Sequence, residues 1–168
     1  MNPAHVIPSL AHSGHDAEGR LVALAFDSTP PLPDPGANPW LVALDGSDNA
    51  QRAIAHAAEQ TALMNAGALH LIHVQPWLSR EAAEAELAHR ALGATARARG
   101  LLDARGLPWR LHVAMGDPAE RILERAAELR ASCVVIGSRG LNVVERLLFG
   151  SVTDKVIHLS PVPVLLVP

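Results

Sequence analysis

From Trp40 to the end of the chain, short apolar runs alternate with longer segments of helical period, and that alternation limits the fold more than any other feature. The runs are Leu41–Leu44, Leu69–Val74, Trp109–Met115, Cys133–Ile136 and Val162–Val167. Each is too short for a helix and reads as a strand, and the unbroken apolar runs Leu41–Leu44 and Cys133–Ile136 read as strands buried on both faces. Between them, Ser47 or Asp48 caps a helix through about Met64, with Ile54, Ala57, Ala58 and Thr61 on one face. Ser79 opens a long helix whose stripe runs Ala83, Leu87, Ala91, Ala94, Ala98 and Leu101. That alanine-rich stripe suits close packing on a sheet. Asp117-Pro118-Ala119-Glu120 combines a cap, a proline at the first helical position and a capping-box glutamate. Ile122, Ala126 and Leu129 follow on its inner face, and Ser151 to His158 is the last helix. Strand and helix in strict turn imply an open parallel sheet covered on both faces, with right-handed crossovers.

Composition narrows the function. Hydrophobic residues are 49% and charged ones 18%, a globular balance, while aromatics are only 3%, so Ala, Val, Leu and Ile must build the core. The net charge of −3 argues against a nucleic-acid surface. No run of 18 apolar residues offers a membrane span. The N-terminus lacks a basic region followed by an apolar core, so the expected location is cytoplasmic. Cys133, the single cysteine, sits in an apolar run and reads as an inert core thiol. Residues 1–39 differ in character. Pro30-Pro31-Leu32-Pro33-Asp34-Pro35-Gly36 is a linker-like run. Ahead of it, Leu21 to Phe26 reads as a short strand or a packing arm. His12 and His15 lack a cysteine or carboxylate at ligand spacing, so no metal site is expected there.

The chemistry concentrates after the fourth run, where Val134-Val135-Ile136-Gly137-Ser138-Arg139-Gly140 leads through Leu141 to Gly150-Ser151-Val152. A strand, a glycine-rich loop and a helix start make an anion site. Glycine lets the backbone approach a ligand, and the free N–H groups of a helix start point at negative charge. Ser151 can cap the helix or donate its hydroxyl to a phosphate oxygen. The loop is neither a P-loop, since no G-K-[ST] occurs, nor a dinucleotide fingerprint, since the G-x-G spacing is missing.

The full spacing G-x2-G-x9-G-S, carried by Gly137, Gly140, Gly150 and Ser151, resembles the nucleotide-binding motif of the universal stress protein family. Val42-Ala43-Leu44-Asp45-Gly46-Ser47 and Ser160-Pro161-Val162-Pro163-Val164-Leu165-Leu166-Val167 agree with it. The resemblance covers Trp40 to Pro168, dividing the chain into an extension and Pro-rich linker (1–39) and a universal stress protein domain (40–168). It implies an open five-stranded parallel sheet sandwiched by helices, of the adenine nucleotide alpha hydrolase-like (Rossmann-like) kind. It also makes the first and fourth strands neighbours, bringing Asp45 opposite the glycine loop.

By the same resemblance, Asp45 and Val74 contact the adenosine part of a nucleotide. Gly137 and Gly140 line ribose and phosphates, Gly150, Ser151 and Val152 hold the phosphate end, and Ser47 assists there. Each residue has a plainer reading beside this one. Asp45 fits a turn before Gly46, Ser47 fits a helix cap, and His73 fits a satisfied structural histidine. Arg139 lies between the loop glycines, and Lys155 stands one helical turn past Ser151. The implied ligand is ATP, or ADP or AMP, with Mg²⁺ on its phosphates to offset their charge. Hydrolysis needs a positioned water and charge neutralisation, and no base is readable beside the loop. The expected function is therefore a stress-related regulator that binds an adenine nucleotide with little or no turnover. Slow ATP hydrolysis on the same fold, and a nucleotide-free dimeric interaction module, are the rivals. The resemblance further implies a homodimer through the Val162, Val164, Leu166 strand and a regulatory protein partner of unknown identity.

Overall fold

A computed structural model of the protein describes residues 7–33, 37–64, 67–138 and 151–168. Their elements, in order, are β1 (Ser9–His15), β2 (Leu21–Asp27), β3 (Pro39–Ala43), α1 (Asp48–Leu63), β4 (Ala68–Gln75), α2 (Arg80–Ala104), β5 (Trp109–Met115), α3 (Pro118–Glu128), β6 (Cys133–Gly137), α4 (Ser151–Leu159) and β7 (Val164–Val167). They build a seven-stranded sheet in the order β1-β2-β5-β4-β3-β6-β7. The five strands from β5 to β7 are parallel, as the alternation requires. β3 and β6 are neighbours, with Trp40 against Cys133 and Val42 against Val135.

The extension adds what the sequence did not resolve. Leu21 to Phe26 is a strand of the main sheet, and β1 and β2 form an antiparallel hairpin paired onto β5. Two antiparallel strands thus extend the five-stranded parallel sheet. Ser28 seals the junction: its Oγ accepts from Trp109 N–H at 2.9 Å and donates to the Pro30 carbonyl at 2.6 Å.

Alternation along the central strands feeds two cores. Val42, Leu69, Leu71, Leu111 and Val135 face α1 and α2, while Leu41, Ile72, Val134 and Ile136 face α3 and α4. Small residues on α1 (Ala53, Ala57, Ala58) and α2 (Ala83, Ala91, Ala98) let both helices lie close to the sheet. The buried stripe of α2 runs Ala83, Leu87, Ala91, Thr95, Ala98 and Leu102, so Thr95 and Leu102 replace the expected Ala94 and Leu101. Thr95 tolerates burial because its hydroxyl donates to the Ala91 carbonyl at 2.8 Å, leaving a methyl to pack. Ser47, Ser79 and Asp117 cap α1, α2 and α3 as read from sequence. β7 starts at Val164 rather than Val162. Among the described residues no helix is long and apolar enough to cross a membrane.

Candidate functional site

From β3 the chain crosses through α1 to β4 on one side, and from β6 it crosses through α4 to β7 on the other. The order therefore reverses between β3 and β6, and a crevice opens beyond their carboxyl ends. A cleft of about 420 Å³ lies there, within the ~300–1,000 Å³ typical of small-molecule sites. β3 and its exit contribute Ala43, Leu44, Asp45 and Ser47; α1 adds Asn49 and Ala50. Ile72 and Val74 come from β4, Ile136 and Gly137 from β6, Pro118 and Ile122 from α3, and Ser151, Val152 and Thr153 from α4.

Six of the sequence-read site residues thus meet in one cleft: Asp45, Ser47, Val74, Gly137, Ser151 and Val152. Gly140 and Gly150, like Arg139, lie outside the described residues.

Local geometry shows how each is placed. Asp45 is exposed, and its Oδ1 accepts the Ser47 N–H at 2.9 Å, closing a turn over Gly46. Gly46 has φ +85° and would set a Cβ 3.2 Å from the Ala94 carbonyl oxygen of α2, so any larger residue is strained and crowds that helix. Ser47 Oγ accepts the Ala50 N–H at 3.2 Å, which uses one lone pair and leaves its proton available. Ser47 caps α1, and it also lines the cleft. His73 is buried, with Nδ1 2.9 Å from the Leu44 carbonyl oxygen. Because a carbonyl only accepts, Nδ1 carries the proton, and the histidine pins the end of β3 from below Asp45. It is structural, as the sequence suggested.

Gly137 has a reason beyond ligand approach. A Cβ there would sit 2.5 Å from the Asn49 carbonyl oxygen, so the start of α1 rests directly on the end of β6. Ser151 is the first residue of α4, and its neighbours Val152 and Thr153 complete that wall of the cleft. Lys155 does share the Ser151 side of α4: its Nζ lies 3.4 Å from Asp117 Oδ2, at the cap of α3. The Glu120 N–H and then the Lys155 charge hold the Asp117 carboxyl below the usual carboxylate range. Cys133 opens β6, at the strand end remote from Gly137, and burial pushes its thiol up.

The sequence reading missed the apolar wall and two polar residues, Asn49 and Thr153. Ile72 is legible in retrospect, since it alternates with Val74 on one face of β4. Ile136 directly precedes Gly137. Pro118 and Ile122 enter because the cap of α3 reaches the same sheet edge, which no local pattern reveals. Asn49 lies in the first turn of α1, where its Oδ1 accepts from Arg52.

Comparison with known proteins agrees with this geometry. The universal stress protein family model matches residues 38–168. A universal stress protein of Thermus aquaticus is 36% identical over 132 residues, spanning 76% of this chain and 96% of that one. The stress response protein NhaX of Bacillus subtilis is 40% identical over 72 residues, and there the match spans only 43% of that relative's length. Among solved structures, a universal stress protein in complex with cAMP has TM-score 0.63 at 26% identity, with 78% of this chain and 97% of that one covered. The Archaeoglobus fulgidus protein in complex with dAMP has TM-score 0.58 at 27% identity, covering 77% and 97%. Motif, strand order and matched length converge, and the chain belongs to the universal stress protein family.

Proposed function

We propose that this protein binds an adenine nucleotide in the cleft between β3 and β6 and acts as a stress-linked regulator in the cytoplasm, with little or no turnover. The observation that carries the reading is the convergence of Asp45, Ser47, Val74, Gly137, Ser151 and Val152, from four separate parts of the chain, on one cleft. Ile72, Val74, Ile122 and Ile136 give that cleft an apolar floor suited to a base. The starts of α1 and α4 give it N–H groups suited to phosphate. The relatives solved with cAMP and dAMP support an adenine ligand. ATP is the proposed form, with Mg²⁺ carried on its phosphates. Among the described lining residues the one carboxylate is Asp45, already engaged by the Ser47 N–H. That supports binding over hydrolysis. The bound state is read by a second copy paired along β7 or by a regulatory partner.

Purified protein should release adenine nucleotide on extraction, or melt higher once ATP is added. A ligand at about 100 times its dissociation constant adds roughly 2.7 kcal/mol. Val74→Phe, which fills the floor, should abolish the shift while leaving the ligand-free melt nearly unchanged. A folded protein with neither bound nucleotide nor a shift would overturn the reading.

A further inference from the structure

Lys155 is the only lysine of the chain. It stands four residues after Ser151 on α4, about 6 Å along the axis and on the same face. Helical side chains lean toward the N-terminus, so its ammonium reaches back to the level of Ser151 and the open end of the cleft. There it meets Asp117 Oδ2 at 3.4 Å. Asp117 directly precedes Pro118, which lines the cleft, so the ion pair ties α4 to α3 beside it.

The two oxygens of Asp117 do separate work. Oδ1 accepts the Glu120 N–H at 3.0 Å and caps α3, while Oδ2 holds Lys155. Lys155 can therefore leave without uncapping α3. The pair is also weak, because both side chains are substantially exposed, at 54% and 38%. A di- or triphosphate at the start of α4 offers the ammonium more negative charge than one carboxylate does. The described lining residues of the cleft include neither lysine nor arginine. Among the described residues, Arg52, beside Asn49, is held to the Pro168 carbonyl at 3.1 Å and to Asn49 itself.

Resting on the adenine nucleotide reading of the cleft, we propose that Lys155 is a phosphate-responsive latch. It ties α4 to the cap of α3 through Asp117 when no polyphosphate is bound, and swings onto the distal phosphates when one binds. The latch selects nucleoside di- and triphosphates over the nucleoside.

Calorimetric titration of the full chain with adenosine and with ATP, in magnesium-free buffer, tests this. Lys155→Met should weaken ATP about tenfold and leave adenosine unchanged, and Lys155→Arg should restore most of the loss. Asp117→Asn keeps a good helix cap but releases the ammonium, so ATP should bind as well as, or more tightly than, in wild type. Because the lysine is unique, its acylation rate, read by peptide mapping, should fall with ATP and not with adenosine. Lys155→Met binding ATP like wild type, or losing adenosine and ATP equally, would overturn the latch while the cleft reading stands. Wild type binding neither ligand would remove the cleft reading and the latch together.

Discussion

A methyl group at Gly137 would lie 2.5 Å from the Asn49 carbonyl oxygen and 2.6 Å from its carbon, distances that force backbone to move. Gly137→Ala should therefore push the start of α1 off β6 and cost about 1–3 kcal/mol, the usual range for overpacking. Urea unfolding measures this, and an unchanged midpoint would contradict it. The same displacement moves Ser47 and Asn49, so nucleotide binding should weaken by way of packing rather than lost ligand contact. At this scale the sequence was legible where a residue type has few uses. The glycine between a strand and a loop, the Asp-Gly-Ser turn and the serine opening α4 all landed on the cleft. Asn49, which also lines the cleft, was not legible, because an asparagine in a first helical turn has too many ordinary roles. Nor was the second role of Gly137, which depends on a contact with residue 49 that no local spacing encodes.

Strands β4 and β5 carry a histidine pair: His70 Nδ1 lies 2.9 Å from His112 Nε2, with the rings stacked 5.2 Å apart. One of the facing nitrogens must donate and the other accept, so a second proton would set two N–H groups against each other. Burial, then the nearby arginines, hold His70 at about 4, and burial, then Arg125, His70 and Arg110, hold His112 at about 2. Asp27 opposes this at His70 but is itself bidentate to Arg110, at 2.7 and 2.9 Å. Both folded values lie below the unfolded value near 6.5, so the unfolded chain binds more protons between them. The stability is fully present above about pH 6.5 and is lost as pH falls from there toward 4. Each histidine contributes up to about 1.4 kcal/mol per pH unit. Thermal melts should fall steeply over that window, and the His70→Gln/His112→Gln variant should flatten the slope; an equal slope in both proteins would contradict this. The parallel strands and capped helices were readable because burial on both faces and cap chemistry leave local marks. The β1–β2 hairpin was only half readable. Leu21 to Phe26 has a strand's composition, but nothing in it names β5 as its partner. β1 is exposed along most of its length and so lacks the apolar alternation that marks a strand.

The whole sheet has two free edges, and they are built differently. β1 is exposed and carries register shifts at Leu10/His12 and Gly14/His15, irregularities that discourage pairing with another chain. β7 pairs with β6 without such a break, and its Val164, Leu165 and Leu166 are half-buried at the other edge. This asymmetry supports the proposed self-association through β7, since the extension has already covered β5. Light scattering should give a mass twice the 17.8 kDa of the chain, and Leu166→Lys should return it to one chain with the far-UV spectrum intact. A wild-type monomer, or a dimer indifferent to Leu166→Lys, would contradict the edge assignment. At the reversal between β3 and β6 the described residues leave a cleft. The measurement that bears most directly on the crevice is an amide chemical-shift map of the labelled protein titrated with ATP. The expected result is saturable shifts at Asp45, Ser47, Val74, Gly137, Ser151 and Val152, fading along β1 and β2. Shifts centred elsewhere, or none at millimolar ATP, would mean that the residues meeting in this cleft do not form a nucleotide site.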